Sequence, residues 1–123
     1  MNPVCFFEIP VRDMATATAF YEQTFGMQLT PLAVDGNQMA MFPFAEGAPG
    51  ASGALAQGES YVPGKAGARI YFAVNDIQAT LQAALAAGGT AHYPVTEVPH
   101  HGWVAEFLDP EGNCIALYTT QHP

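Results

Sequence analysis

One segment of the chain occurs twice, and this repeat constrains the fold more than any other feature. FFEIPVRDMATATAFYEQTFG at residues 6–26 aligns without a gap with RIYFAVNDIQATLQAALAAGG at residues 69–89. Each copy has an extended apolar run, a Val, an Asp, a helical stretch and a Gly. Ala54-Leu55 and Ala116-Leu117 keep almost the same spacing later in each copy. We therefore predict one module built twice, with a cavity between two related half-sheets.

The secondary structure predicted for each copy is βαβββ. Asp13 and Asp76 can cap the first turn of helices at 14–25 and 77–87, because an Asp carboxylate accepts free N–H groups there. Glycines end both helices. The predicted strands cover residues 5–11, 27–33, 38–43, 53–57, 69–74, 90–94, 103–108 and 114–119. The fold class is thus α+β, with two βαβββ modules forming a curved eight-stranded mixed sheet around a cup-shaped cavity.

The length of 123 residues predicts a single domain. Module one covers about 1–58, a linker rich in Gly covers about 58–67, and module two covers about 68–123. No stretch has the roughly 18 uncharged apolar residues of a membrane span. The N-terminus also lacks the pattern of a signal peptide.

The net charge and the small number of basic residues limit the kinds of molecule that the chain can bind. The net charge is −8, with Arg12, Lys65 and Arg69 as the only basic residues. A nucleic-acid backbone or an anionic membrane needs clustered Lys and Arg, so both are excluded as partners. Cys5 and Cys114 are interpreted as small buried hydrophobic residues without a disulfide, which fits a reducing compartment. We expect a cytoplasmic protein.

Several motifs together resemble a known family. They are the doubled plan, the V-x-D at the start of each module, the F-G after the first helix and D-P-E-G-N-C-I-A-L at residues 109–117. The chain resembles the vicinal oxygen chelate superfamily, which includes glyoxalase I, extradiol dioxygenases, bleomycin-binding proteins and fosfomycin-resistance proteins. FFEIPV, GALAQGESYVP and YFAVNDI are most similar to its small single-domain, glyoxalase-related branch.

The resemblance implies a cup whose metal-dependent members hold a divalent ion. Four ligands, usually His, Glu, His and Glu, come from the first and last strands of each module, and the metal polarises a substrate through two adjacent oxygens. In this chain those positions correspond to Phe6, Ala54, Arg69 and Ala116. Three of them have no donor atom and Arg is a permanent cation. We therefore expect no metal and no cofactor, which argues against a glyoxalase I or an extradiol dioxygenase.

Strand alternation and the resemblance together predict the lining of the cup. Glu8 shares a strand face with Phe6, Tyr71 with Arg69, and Tyr118 with Ala116. The resemblance implies that Glu106 also points into the cup. Trp103 and the His100-His101 pair are expected on a Gly-containing loop near the rim of the cup. The candidate catalytic residues are Glu8 and Glu106. The candidate ligand-binding residues are Arg69, Tyr71, Tyr118, Trp103, Phe6 and His101.

Arg69 leaves alternatives open. A buried Arg needs a carboxylate partner, and Glu8 and Glu106 are both candidates. Arg69 could form an internal ion-pair network that replaces the lost metal. It could instead bind an anionic oxygen of a ligand while one Glu acts as a general base. The adjacent histidines His100 and His101 are typical of a solvent-facing loop. The alternatives are contact with a ligand, or an unusual metal site that involves Glu8 or Glu106. His92 shows no useful spacing.

Three functions follow from these features. The first is a metal-independent lyase or isomerase-type enzyme that abstracts a proton next to a carbonyl, with Tyr71, Tyr118 and Arg69 as donors to the enolate oxygen. The alternative is a non-catalytic protein that binds a small drug or metabolite, as bleomycin-resistance proteins do. The third is a module without a ligand.

The resemblance also implies a homodimer, and the exposed edges of the sheets favour pairing between chains.

Overall fold

The computed structural model describes residues 2–123 and has ten elements of regular structure. The first module consists of β1 (Phe6–Pro10), α1 (Met14–Phe25), β2 (Thr30–Val34), β3 (Asn37–Met41) and β4 (Ser52–Gln57). The second module consists of β5 (Ile70–Ala73), α2 (Ile77–Ala86), β6 (Thr90–Val98), β7 (Gly102–Leu108) and β8 (Cys114–Thr119). The α+β class and the two βαβββ modules are therefore confirmed. None of the helices in the described residues is long and apolar enough to cross a membrane.

Each module contributes one four-stranded mixed sheet. The strand orders are β1-β4-β3-β2 and β5-β8-β7-β6, with the first strand of each module parallel to its last. Glu8 lies opposite Ala54 in the first sheet, and Tyr71 lies opposite Ala116 in the second. The sequence repeat therefore extends to the pairing register of the strands.

Both helices begin at the Asp residues predicted to cap them. Asp13 Oδ1 accepts a hydrogen bond from Thr16 N at 3.1 Å, and Asp76 Oδ1 accepts one from Ala79 N at 3.0 Å. The hydrogen bond from the Thr16 backbone lowers the pKa of Asp13. Gly26, with a φ of 64°, ends α1 in the left-handed conformation that glycine adopts without strain.

The two modules share one hydrophobic core on the helix-facing sides of their sheets. Aromatic rings join them there: Phe72 of β5 lies 5.8 Å from Phe7 of β1 and 4.3 Å from Phe25 of α1, measured between ring centroids. Tyr21 and Phe20 of α1 are fully buried in the same core. The sheet faces that pack against the helices therefore form the core. The opposite faces of the two sheets are left to form the cup.

Strand β6 is longer than the sequence predicted. We expected it to end at Pro94, but it continues to Val98. It is the edge strand of its sheet, where a missing N–H is tolerated. Its register with β7 shifts between Ala91 and Tyr93, so that His92 and Tyr93 together oppose Glu106. Such a bulge changes the direction of a side chain.

Candidate functional site

A cavity with a volume of about 470 Å³ lies between the two modules. Strand β1, the linker and strands β5 and β8 all contribute to it. Its lining residues include Glu8, Pro10, Val62, Lys65, Ile70 and Cys114. A largely apolar cleft of this size with a few polar groups is typical of a small-molecule site.

The wall from module one carries a single carboxylate. Glu8 is exposed, and its Oε1 accepts a hydrogen bond from the Tyr61 hydroxyl at 2.9 Å. This hydrogen bond to a carboxylate raises the pKa of Tyr61. The Tyr61 ring packs against Met39, Ala54 and Ala56. Phe6 lies on the same strand face and is 44% exposed.

Module two carries an ion pair beside the cavity. Arg69 Nη1 donates to Glu106 Oε2 at 2.9 Å, with the two side chains 42% and 13% exposed. Glu106 is thus the carboxylate partner of Arg69, and Glu8 is bound to Tyr61 instead. The ion pair leaves Glu106 Oε1 turned toward other groups.

Two further side chains converge on that free oxygen. Cys114 Sγ donates to Glu106 Oε1 at 3.7 Å, and His92 Nε2 lies 3.7 Å from the same atom. The thiol of Cys114 is largely buried, and this burial raises its pKa. One ligand atom of each of His92, Glu106 and Cys114 lies within 4.8 Å of the other two. A group of this composition can hold a metal ion.

The expectation that the cup has no metal site is therefore wrong. Phe6, Ala54, Arg69 and Ala116 do lack the required donors, but the structure assembles a different set of ligands on the same wall. The four metal-ligand positions of the superfamily lie only in the first and last strand of each module. His92 is not among these positions, because it lies in the edge strand β6.

The remaining predicted residues lie at different places around the cup. Tyr71 is 53% exposed and lines a smaller depression together with Arg69. The Tyr118 hydroxyl donates to the backbone carbonyl of His101, which ties the loop before β7 to β8. Trp103 packs against the core on the helix-facing side, with its ring 5.0 Å from that of His122.

Sequence reasoning missed three residues of the site. Tyr61 and Lys65 lie in the segment interpreted only as a linker, and His92 had no recognisable spacing. The one available signal for His92 was Pro94 within a predicted strand, because proline in a strand often marks an edge or a bulge. Cys114 was placed on the correct face, next to Ala116, but was interpreted as a hydrophobic residue.

Comparisons with known proteins agree with this architecture. The family model described as Glyoxalase/Bleomycin resistance protein/Dioxygenase superfamily matches residues 4–117. A glyoxylase-like domain-containing protein of Didymella fabae is 33% identical over 120 residues, which cover 91% of this chain and 89% of that protein.

Solved structures share the fold at lower identity. The antibiotic-binding protein TnmS3 from Streptomyces sp. CB03234 superposes with a TM-score of 0.72 at 24% identity, with 98% of each chain covered. A glyoxalase I variant from Zea mays superposes with a TM-score of 0.74 at 24% identity over 96% of this chain. The chain spans 47% of that glyoxalase, about half its length. From the match along nearly its whole length, the chain belongs to the Glyoxalase/Bleomycin resistance protein/Dioxygenase superfamily.

Proposed function

We propose that this protein binds a small organic molecule with an anionic oxygen in the cup between its two modules. The observation that carries the proposal is the cavity of about 470 Å³, which is lined by residues of both modules and of the linker. Its volume lies within the range typical of ligand pockets. The name of TnmS3 gives independent support that this fold accommodates small molecules.

The distribution of positive charge supports an anionic ligand. The chain has only three basic residues against a net charge of −8. Two of them, Arg69 and Lys65, lie close enough to Cys114 to favour its thiolate form. Glu106 offsets the charge of Arg69, whereas Lys65 lines the cavity, where its ammonium group is suited to a carboxylate or enolate oxygen.

Ligand-observed NMR with matched pairs of small carboxylates and their neutral amides tests this proposal in the presence of a chelator. We expect the carboxylates to bind about tenfold more tightly than the amides, because a charge-assisted hydrogen bond contributes about 1.5 kcal/mol or more. Lys65→Gln should remove this preference. Arg12→Gln, which removes the same charge outside the cup, should keep it. Equal effects of the two variants, or no binding in the whole set, would contradict the proposal.

A second candidate function is proton abstraction next to the carbonyl of the bound molecule. Arg69 is paired with Glu106, whereas Glu8 has no basic partner among residues 2–123 and lines the cavity directly. Glu8 is therefore the carboxylate available as a general base. Tyr61 holds it in place and can return a proton.

Deuterium exchange separates catalysis from simple binding. A bound carboxylate that carries an acidic C–H should exchange it with D₂O faster in the presence of the protein. Glu8→Gln should reduce this exchange by at least about a hundredfold, the usual contribution of a general base. Glu46→Gln, on a distant exposed loop, should have no effect. Exchange at the wild-type rate in the Glu8→Gln protein would leave binding as the only function.

The homodimer and the cytoplasmic location stay predictions. Light scattering coupled to size-exclusion chromatography would measure the mass in solution and decide between one chain and two.

A further inference from the structure

We propose that His92, Glu106 and Cys114 form a three-ligand site for a transition-metal ion such as Zn²⁺ in the wall of module two. The site differs from the four positions at which the superfamily places its metal. It does not depend on the organic ligand proposed above, because the two can be measured separately.

Two of the three distances between the ligand atoms are close to those of a tetrahedral ion. Zn²⁺ binds oxygen, nitrogen and sulfur at roughly 2.0–2.3 Å, so two ligands of one tetrahedral ion lie roughly 3.3–3.6 Å apart. Glu106 Oε1 lies 3.7 Å from both His92 Nε2 and Cys114 Sγ, and all three atoms lie within 4.8 Å of one another. Small rotations of the side chains would complete the geometry.

The donor set also suits this class of ion chemically. Imidazole, thiolate and carboxylate are the three side-chain ligands that Zn²⁺ uses. Metal binding would release the proton of the Cys114 thiol, so that two of the three ligands are anionic. This negative charge offsets the repulsion from Arg69 and Lys65. Arg69 holds Glu106 Oε2 and leaves Oε1 free, as residues around metal sites do when they orient a ligand.

Two independent features of the backbone favour a built site. In β6, Ala91 pairs with Phe107 and Tyr93 pairs with Glu106, so His92 is the extra residue of the bulge and stays beside Glu106. Cys114 lies at the start of β8, where it also lines the main cavity. The proposed site is therefore connected to the cavity through Cys114.

Metal titration of the full chain tests the site. In the Cys5→Ala protein the only thiol is Cys114, since the chain has two cysteines. We expect this protein, freed of metal by a chelator, to bind one Zn²⁺ per chain by calorimetry. Replacing Zn²⁺ with Co²⁺ should give the ligand-to-metal absorption of a cobalt thiolate, which reports Cys114 directly and needs no catalytic activity.

Variants of the proposed ligand residues, compared with a variant outside the site, test which side chains bind the metal. Cys114→Ser and His92→Gln should each weaken Zn²⁺ binding by at least about tenfold, and His100→Asn on the exposed loop should leave it unchanged. Circular dichroism would confirm that the variants fold. Absence of the cobalt thiolate band, or unchanged Zn²⁺ affinity in the folded His92→Gln protein, overturns the proposal even if Cys114→Ser fails to fold. Failure of the carboxylate-binding experiment alone would leave it intact.

Discussion

The two walls of the cup have the same backbone and different chemistry. In module two, Arg69, Glu106 and Cys114 form a polar cluster. The equivalent residues of module one are Phe6, Met41 and Ser52: Met41 lies opposite Ala54 just as Glu106 lies opposite Ala116, and Ser52 begins β4 just as Cys114 begins β8. The repeat therefore preserves where a side chain points, while the type of side chain has diverged.

This difference assigns separate roles to the two walls. Module one offers a mainly apolar surface with one exposed carboxylate, Glu8, held by Tyr61. Module two offers an ion pair, a thiol and an imidazole within a few ångströms of one another. A molecule in the cavity would meet the carboxylate of Glu8 on the side of module one and the thiol of Cys114 on the side of module two. Such asymmetry fixes the orientation of a ligand.

The loops before the last strand of each module differ in the same way. In module two, buried Asp109 accepts hydrogen bonds from the Tyr21 hydroxyl at 2.7 Å and from Glu111 N, Asn113 N and Asn113 Nδ2 at 2.9 Å each. The corresponding loop of module one, residues 42–51, is largely exposed. The module-one loop contacts Tyr21 through the buried ring of Phe42, at 5.8 Å between ring centroids, whereas the module-two loop is hydrogen-bonded to the Tyr21 hydroxyl.

The largest effect that we predict tests this contrast between loops. Asp109→Ala should lower the free energy of unfolding by about 3 kcal/mol or more, because it leaves several buried donors without an acceptor. Glu46→Ala in the loop of module one should change it little. Urea denaturation at pH 7 measures both. A similar loss in the two variants would show that the loops contribute equally.

A smaller effect is expected from the other partner in this contact, Tyr21. Burial, and then the neighbouring Asp109 carboxylate, raise the pKa of Tyr21 well above 10.0. The neutral phenol is therefore favoured by folding: its contribution is fully present below pH 10 and is lost as the pH rises through the raised value. Tyr21→Phe should cost about 1 kcal/mol at pH 7 through the lost hydrogen bond.

The pH dependence provides the check on this assignment. Between pH 10 and 11, the free energy of unfolding of the wild type should fall by up to about 1.4 kcal/mol more per pH unit than that of Tyr21→Phe. Tyr71→Phe, at a half-exposed ring, is the matched control and should keep the wild-type slope. Identical slopes in all three proteins would exclude Tyr21 as the source.

The fold was predictable because it depends on local and periodic signals. The capping Asp residues, the Gly at the end of α1 and the alternation of β1 and β5 each follow from short stretches of sequence, and the repeat supplies them twice. The end of β6 was not predictable in this way. Pro94 is tolerated there only because the strand lies at an edge of the sheet, and that is a tertiary property.

The site was predictable only where alternation sufficed. The alternation of side chains placed Glu8 in β1 correctly and offered Glu106 as one of two partners for Arg69, but it put Arg69 inside β5, which begins one residue later at Ile70. It could not choose between the two carboxylates, since the choice depends on the separation of the walls. His92 could not be found, because its position beside Glu106 depends on the pairing register of β6 with β7, which is a tertiary property.

The smallest predicted effect compares the two carboxylates of the cup. With a chelator present, Glu106→Gln should lower the free energy of unfolding by about 1 kcal/mol or less, because Arg69 is 42% exposed and water screens the lost ion pair. Glu8→Gln should have a smaller effect still, since the Tyr61 hydroxyl can donate to the amide oxygen instead. Urea denaturation at low and high salt measures both, and only the Glu106→Gln difference should shrink with salt. If Glu8→Gln were the more damaging change, the wall of module one would hold the stronger electrostatic contact, and the division of roles between the walls would have to be reversed.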